Sequence, residues 1–174
     1  MTRRAWLFAS AGAAAVLAGA GSAWWRWRLD APPVAEGLET FWGSTLDSPE
    51  GRPVPLAGFR GKPLLVNFWA TWCPPCVEEL PLINAFYEAQ RGRGWQVLGI
   101  AIDQPSAVRQ WLQRSPLSFP VVLAGLQGTE MSKSLGNQAG SLPFSVLFGP
   151  RGQVLERKLG QLHADELKNW ASKA

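Results

Sequence analysis

Leu64-Leu65-Val66-Asn67-Phe68-Trp69-Ala70-Thr71-Trp72-Cys73-Pro74-Pro75-Cys76 is the stretch that decides the fold of this chain. After Gly61 and Pro63 the run to Ala70 is short and apolar, the pattern of a strand buried on both faces. Thr71-Trp72-Cys73 turns the chain. Pro74 suits the first position of a following helix, where the backbone N–H it lacks would have no partner anyway. Glu78, Glu79, Leu80, Leu82, Ile83, Phe86, Tyr87 and Ala89 carry helical spacing up to Gly92, and Pro81 inside the run is expected to kink it.

Further along, Gln96 to Ile102 reads as a second buried strand, which completes a βαβ unit with a right-handed crossover. Ser106 to Arg114 follows as a helix with Val108, Trp111 and Leu112 inward. Phe119 to Ala124 is a third strand and Glu130 to Leu135 a short helix. Phe144 to Phe148 and Gln153 to Leu159, split by Gly149-Pro150-Arg151-Gly152, form a hairpin. Ala164 to Ala171 closes the chain as a helix with Leu167 and Trp170 inward. Upstream, Phe41 to Thr45 is expected to add an edge strand and Leu56 to Phe59 a turn. The order predicts an α/β domain with a central mixed β-sheet flanked by helices.

Composition narrows the function classes. The chain has 174 residues, 47% of them hydrophobic and 17% charged, enough apolar mass for one domain and a terminal extension. The net charge is +4, but residues 1–30 hold Arg3, Arg4, Arg26 and Arg28 against Asp30, so the body is almost neutral. No basic stripe remains to neutralise phosphates, and no nucleic-acid partner is expected. Two cysteines and one histidine cannot by themselves complete a four-ligand zinc site, and no metal or cofactor is expected.

The cysteine pair then carries the chemistry. Cys73 falls at the start of a helix, where unpaired backbone N–H groups and the helix dipole favour negative charge. It is expected to be exposed, acidified and the attacking thiolate. Cys76, one turn further on, faces inward and is expected to resolve the mixed disulfide by attacking Cys73. A structural disulfide competes poorly with this reading, because so short a loop removes little entropy from the unfolded chain. A two-sulfur copper(I) site is a further alternative.

Val66 to Cys76, together with Pro81 and with Ser141-Leu142-Pro143-Phe144 ahead of a later strand, resembles the thioredoxin superfamily. More narrowly, residues 38 to 171 resemble the membrane-anchored, extracytoplasmic TlpA/ResA-like proteins, relatives of the CcmG/DsbE cytochrome c maturation proteins. The resemblance implies a thioredoxin fold and thiol-disulfide exchange, commonly as a reductant, acting on disulfide-bearing proteins such as apocytochrome c or copper-oxidase assembly factors. It also implies a membrane electron donor of the DsbD/CcdA type, with a disulfide oxidase of the same fold as the alternative. Pro143 is expected to be cis and to lie against the disulfide, so that the Leu142 backbone pairs with a substrate strand. Trp72, Pro74, Leu142 and Pro143 form the implied substrate-binding set.

Thioredoxins of the cytosol carry a buried Asp where this chain has Asn67, so another carboxylate must handle protons. Asp103 is the candidate, because it follows the strand next to Val66–Ala70. Alignment with ResA-like members on Phe119-Pro120-Val121-Val122 sets it opposite their buried Glu. In that role burial raises its pKa and it accepts the Cys76 proton. The competing role is a cap for the helix near Pro105. Glu78 and Glu79 are expected to be solvated complements of the helix dipole, and His163 a surface residue or cap neighbour.

Ala5 to Trp25 is a run of 21 uncharged residues, about 31 Å as a helix at ~1.5 Å per residue and long enough to cross a bilayer core. Trp24, Trp25 and Trp27 among Arg26 and Arg28 suit the headgroup zone. The expected organisation is a signal-anchor or signal segment over 1–28 with a hydrophobic helix, a linker over 29–40 and the domain over 41–174. The catalytic domain then faces the periplasm from the inner membrane, or is soluble there if small-residue triplets such as Ala18-Gly19-Ala20 are cleaved.

Overall fold

The computed structural model describes residues 34–174, and the expected N-terminal span lies outside the described residues. Among the described residues no helix is long and apolar enough to cross a membrane. The elements are α1 (Val34–Gly43), β1 (Thr45–Asp47), β2 (Pro53–Pro55), β3 (Leu64–Trp69), α2 (Pro74–Gln90), β4 (Gln96–Ala101), α3 (Pro105–Arg114), β5 (Val121–Leu123), α4 (Gln127–Ser134), β6 (Phe144–Phe148), β7 (Val154–Leu159) and α5 (Ala164–Ala171). Leu56–Phe59 is a 3₁₀ turn, and α2 runs through Pro81 without ending.

Seven strands form one sheet in the order β2-β1-β5-β4-β3-β6-β7. The pairs β3/β4 and β4/β5 are parallel, while β3/β6 and β6/β7 are antiparallel. Every residue of β3 is buried. Successive side chains on a strand point to opposite faces, and the two cores divide accordingly. Leu65, Trp69, Val97 and Leu147 pack with Leu80 and Ile83 of α2, Val108 of α3 and Leu167 and Trp170 of α5. Leu64, Val66, Phe68, Leu98, Ile100, Val146 and Phe148 pack with Phe41 and Trp42 of α1 and with Leu135 after α4. Parallel pairing also brings the C-terminal ends of β3, β4 and β5 to one edge of the sheet, where antiparallel β6 begins. The cysteine turn, Asp103, Leu126 and the Leu142-Pro143 bond therefore share that edge.

Two expectations fail at the N-terminal side of the domain. Residues 34–40, expected as linker, and Phe41 to Gly43, expected as strand, form helix α1. Phe41 and Trp42 are buried, with Leu38 packed behind them, a spacing of three and four residues that suits one helical face. Phe41 stacks on Phe148 at 5.0 Å, and Trp42 Nε1 donates to the Gly152 carbonyl at 3.0 Å. The domain thus begins before residue 41, because these contacts outweigh the weak helical signal of a segment that follows two prolines.

Gly37 makes the α1 contact specific. A Cβ there would lie 2.4 Å from the Ser134 carbonyl oxygen at the end of α4. Alanine gains up to about 1 kcal/mol in helix propensity over glycine, whereas forcing an atom into a filled contact costs about 1–3 kcal/mol. The clash involves backbone and should prevail. Gly37→Ala is expected to lower the urea midpoint of unfolding by an amount equal to about 1–2 kcal/mol, and an unchanged or raised midpoint would show that α1 and α4 do not meet this way.

Candidate active site

Cys73 is the N-cap of α2, with extended backbone (φ −102°, ψ 100°), and Pro74 stands in the first turn. Its carbonyl accepts the first helical hydrogen bond from Val77 N at 3.1 Å. A disulfide joins Cys73 to Cys76 across a Cα–Cα separation of 5.3 Å. Cys76 is fully buried, as expected. Cys73 is not largely exposed as the sequence suggested: only 5% of its surface is open. In the disulfide state its sulfur is held by an interior partner, and the side chain packs in the core cluster containing Trp69, Ala70 and Leu80. Trp72 alone projects outward from the motif, 65% exposed.

The Leu142-Pro143 peptide bond is cis. Leu142 packs against both cores and lines, together with Trp72, a cleft of about 350 Å³ beside the disulfide. Asp103, Gln104, Ile102, Gly125, Leu126, Thr129 and Gly140 complete its walls.

Asp103 does something other than either expected role. Its Oδ2 accepts from Thr71 N at 2.8 Å and from Thr71 Oγ1 at 2.6 Å, and its Oδ1 accepts from Gln104 N at 2.6 Å. No bond to Cys76 is among these, and the N-cap of α3 is Gln104, which makes no side-chain capping bond. The half-buried carboxylate instead ties the end of β4 to the turn two residues ahead of Cys73. It lies too close to the mouth of the cleft to be the buried acid.

The buried acid is Glu79, expected at the surface and found 1% exposed. Its Oε1 accepts from Asn67 Nδ2 at 2.8 Å and its Oε2 from Leu162 N at 2.6 Å. Asn67 Nδ2 also donates to Ser145 Oγ at 3.0 Å; the two residues face each other across the β3/β6 pair. Burial pushes the Glu79 pKa up to about 7, against the two hydrogen bonds, which pull it down. Asn67 thus lacks the expected acid but holds one supplied from α2. The sequence did contain a signal for this. Cys76, Glu79, Leu80 and Ile83 are the buried residues of α2, spaced at i, i+3, i+4 and i+7, so position 79 belongs to the inward face. The carboxylate's chemistry hid what its spacing showed.

Glu78 is exposed, and exposed His163 is the N-cap of α5, its N–H donating to Glu166 at 3.0 Å. Among the described residues no group of three or more His, Cys, Asp or Glu is placed to hold a metal ion.

A cis-proline loop beside a disulfide at the start of a helix, on an edge shared by three parallel strand ends, defines a thioredoxin-fold redox protein. The Redoxin family profile matches residues 32–172, and the chain belongs to that family. Thiol-disulfide oxidoreductase ResA of Bacillus cereus is 32% identical over 126 residues, covering 71% of this chain and 70% of that protein. Among solved structures, a thioredoxin-related protein from Neisseria meningitidis serogroup B is similar with TM-score 0.64 and 29% identity, covering 75% of this chain and 100% of that one. StoA from Bacillus subtilis is similar with TM-score 0.60 and 26% identity, covering 74% and 95%. The chain is a thiol-disulfide oxidoreductase of thioredoxin type, and its substrates are disulfide-bearing proteins.

The raised pKa of Glu79 makes a stability prediction with a definite sign. Between the unfolded value near 4.5 and the folded value near 7 the native state holds a proton that the unfolded chain releases. Stability from this group is therefore full below about pH 4.5 and is lost as pH rises to about 7, a change of about 3 kcal/mol at ~1.4 kcal/mol per pH unit. Glu79→Gln has no such proton to lose. The unfolding free energy of the oxidised wild type relative to Glu79→Gln should fall by that amount between pH 4.5 and 7.5; a difference flat in pH would contradict the assignment.

Proposed function

We propose that the protein is a disulfide reductant for exported proteins, tethered by its N-terminal segment to the inner membrane with the domain in the periplasm. In this reading Cys73 is the nucleophile and Cys76 the resolving thiol. The Cys73 thiolate attacks one sulfur of a substrate disulfide, forming a mixed disulfide and expelling the other substrate sulfur as a thiolate. Cys76 loses its proton and attacks Cys73, which releases the second substrate thiol and leaves the Cys73–Cys76 disulfide. Two electrons pass to the substrate. A membrane donor of the DsbD/CcdA type then returns two electrons to the cysteine pair. Trp72, Pro74, Leu142 and Pro143 border the incoming strand.

The observation that carries the direction of transfer is Glu79. It stands one helical turn behind Cys76 on the same buried face, where side chains at i and i+3 are neighbours. With a pKa near 7 it can take the Cys76 proton during resolution. Strongly oxidising dithiols owe their potential to a stabilised reduced, thiolate form. A carboxyl that becomes negative near neutral pH beside Cys76 disfavours that thiolate, and the balance shifts toward a reducing pair. Asp103 has a positioning role, holding Thr71 and with it the turn that presents Cys73.

Two measurements test this reading. Cys76→Ala is expected to accumulate mixed disulfides with substrate proteins and Cys73→Ala to accumulate none; capture by the Cys73 variant alone would reverse the roles. At equilibrium with glutathione the cysteine pair should remain largely oxidised even when the reduced tripeptide is in excess, as for a pair more reducing than glutathione. A pair held mostly as dithiol under those conditions would identify an oxidase. For the tether, replacing residues 1–30 by a cleavable signal should move the domain to the soluble periplasmic fraction, and continued sedimentation with membranes would oppose it.

A further inference from the structure

Three large hydrophobic side chains are prominently exposed among the described residues, and two of them, Trp72 and Leu126, stand on the same cleft. Leu126 is 89% exposed, at the N-cap of α4, immediately after the β5 strand has delivered the chain to the active-site edge. A leucine this open gains nothing from the fold and loses contact with water only when something covers it. The wall between the two is apolar, made of Ile102 and Leu142, and Gly140 keeps it low. At Gly140 φ is +63°, and a Cβ would press on Thr129 at 3.3 Å.

Charge restricts the occupant as well. Asp103 is the only ionisable residue lining the cleft, and both of its oxygens are occupied by Thr71 and Gln104. It offers no free acceptor to anchor a cation, and its negative charge opposes an acidic neighbour. The cleft is also continuous with the redox site, because Trp72 precedes Cys73 directly and Leu142 precedes the cis proline.

We propose that Trp72 and Leu126 form an apolar clamp that selects substrate polypeptides with a large aliphatic or aromatic side chain next to the reacting cysteine. Leu126 is then a specificity-determining residue contributed by the segment between β5 and α4. This rests on the reductant reading of the Cys73–Cys76 pair. Substrates with acidic or small polar neighbours at that position react more slowly, since the clamp stays wet and Asp103 repels the former.

The test uses the reduced protein and two synthetic peptides with the same internal disulfide, one with Leu and one with Ser beside the cysteine under attack. Wild type should favour the Leu peptide about tenfold in kcat/KM, within the range a buried aliphatic side chain supplies in an open pocket. Leu126→Ser should bring the ratio close to one, while Leu126→Met should keep most of it. A wild-type ratio near one, or a ratio unchanged in Leu126→Ser, would overturn the clamp while leaving the redox reading intact. Reduction of neither peptide by wild type would overturn the redox reading and the clamp with it. Self-association of the oxidised protein that disappears in Leu126→Ser would assign the surface to a second copy of the chain and overturn the proposal.

Discussion

Strand β3 has no free side: both faces are covered and both edges are paired, with β4 in parallel and β6 in antiparallel register. That constraint sets the position of everything chemical in the molecule. Because Trp69 is locked opposite Ala101 and Phe68 opposite Phe144, the chain leaving β3 must turn at the edge where β4 and β5 also end and β6 starts. Cys73 reaches the helix start from one side of that edge and Leu142-Pro143 from the other. Asp103 then fastens β4 to Thr71, so the turn between strand and helix is held at both ends.

The same register builds the interior of the site. Asn67 and Ser145 face each other across β3 and β6 on the side covered by α2, and the helix that begins at Cys73 places Glu79 over them one turn beyond Cys76. The neutral amide and hydroxyl hold a carboxyl that burial has made hard to ionise. The redox pair therefore has two different surroundings. Cys73 sits beside backbone N–H groups and the cleft, and Cys76 beside a proton acceptor with no access to water. This asymmetry gives the two sulfurs separate tasks, which two equivalent thiols would lack.

Much of this was legible in the sequence. The apolar run before Cys73, the proline after it and the alternation of strand and helix patterns predicted the mixed sheet and the helix start, because burial on both faces leaves no polar position in a central strand. Residues 34–43 were less legible. Two prolines and two glutamates surround their few apolar side chains, and the helix is held by Phe148 and Gly152, more than a hundred residues away. At the site, the cysteines were evident from type and spacing, whereas Glu79 was misjudged because a carboxylate is ordinarily solvated. Its spacing from Cys76, Leu80 and Ile83 held the correct answer. Asp103 was recognised as important for its place at a strand end, but its partner is Thr71, which no composition or motif marks. Leu126 carried no pattern at all, since its meaning depends on a cleft assembled from four separate segments.

The separation of tasks between the two sulfurs is tested most directly by alkylation of the reduced protein with iodoacetamide at neutral pH, followed in time by peptide mapping. Modification at Cys73 at least about tenfold faster than at Cys76 is the expected result, given that exposed, ionised thiols react while buried ones are inert. Equal rates, or faster modification of Cys76, would contradict the account.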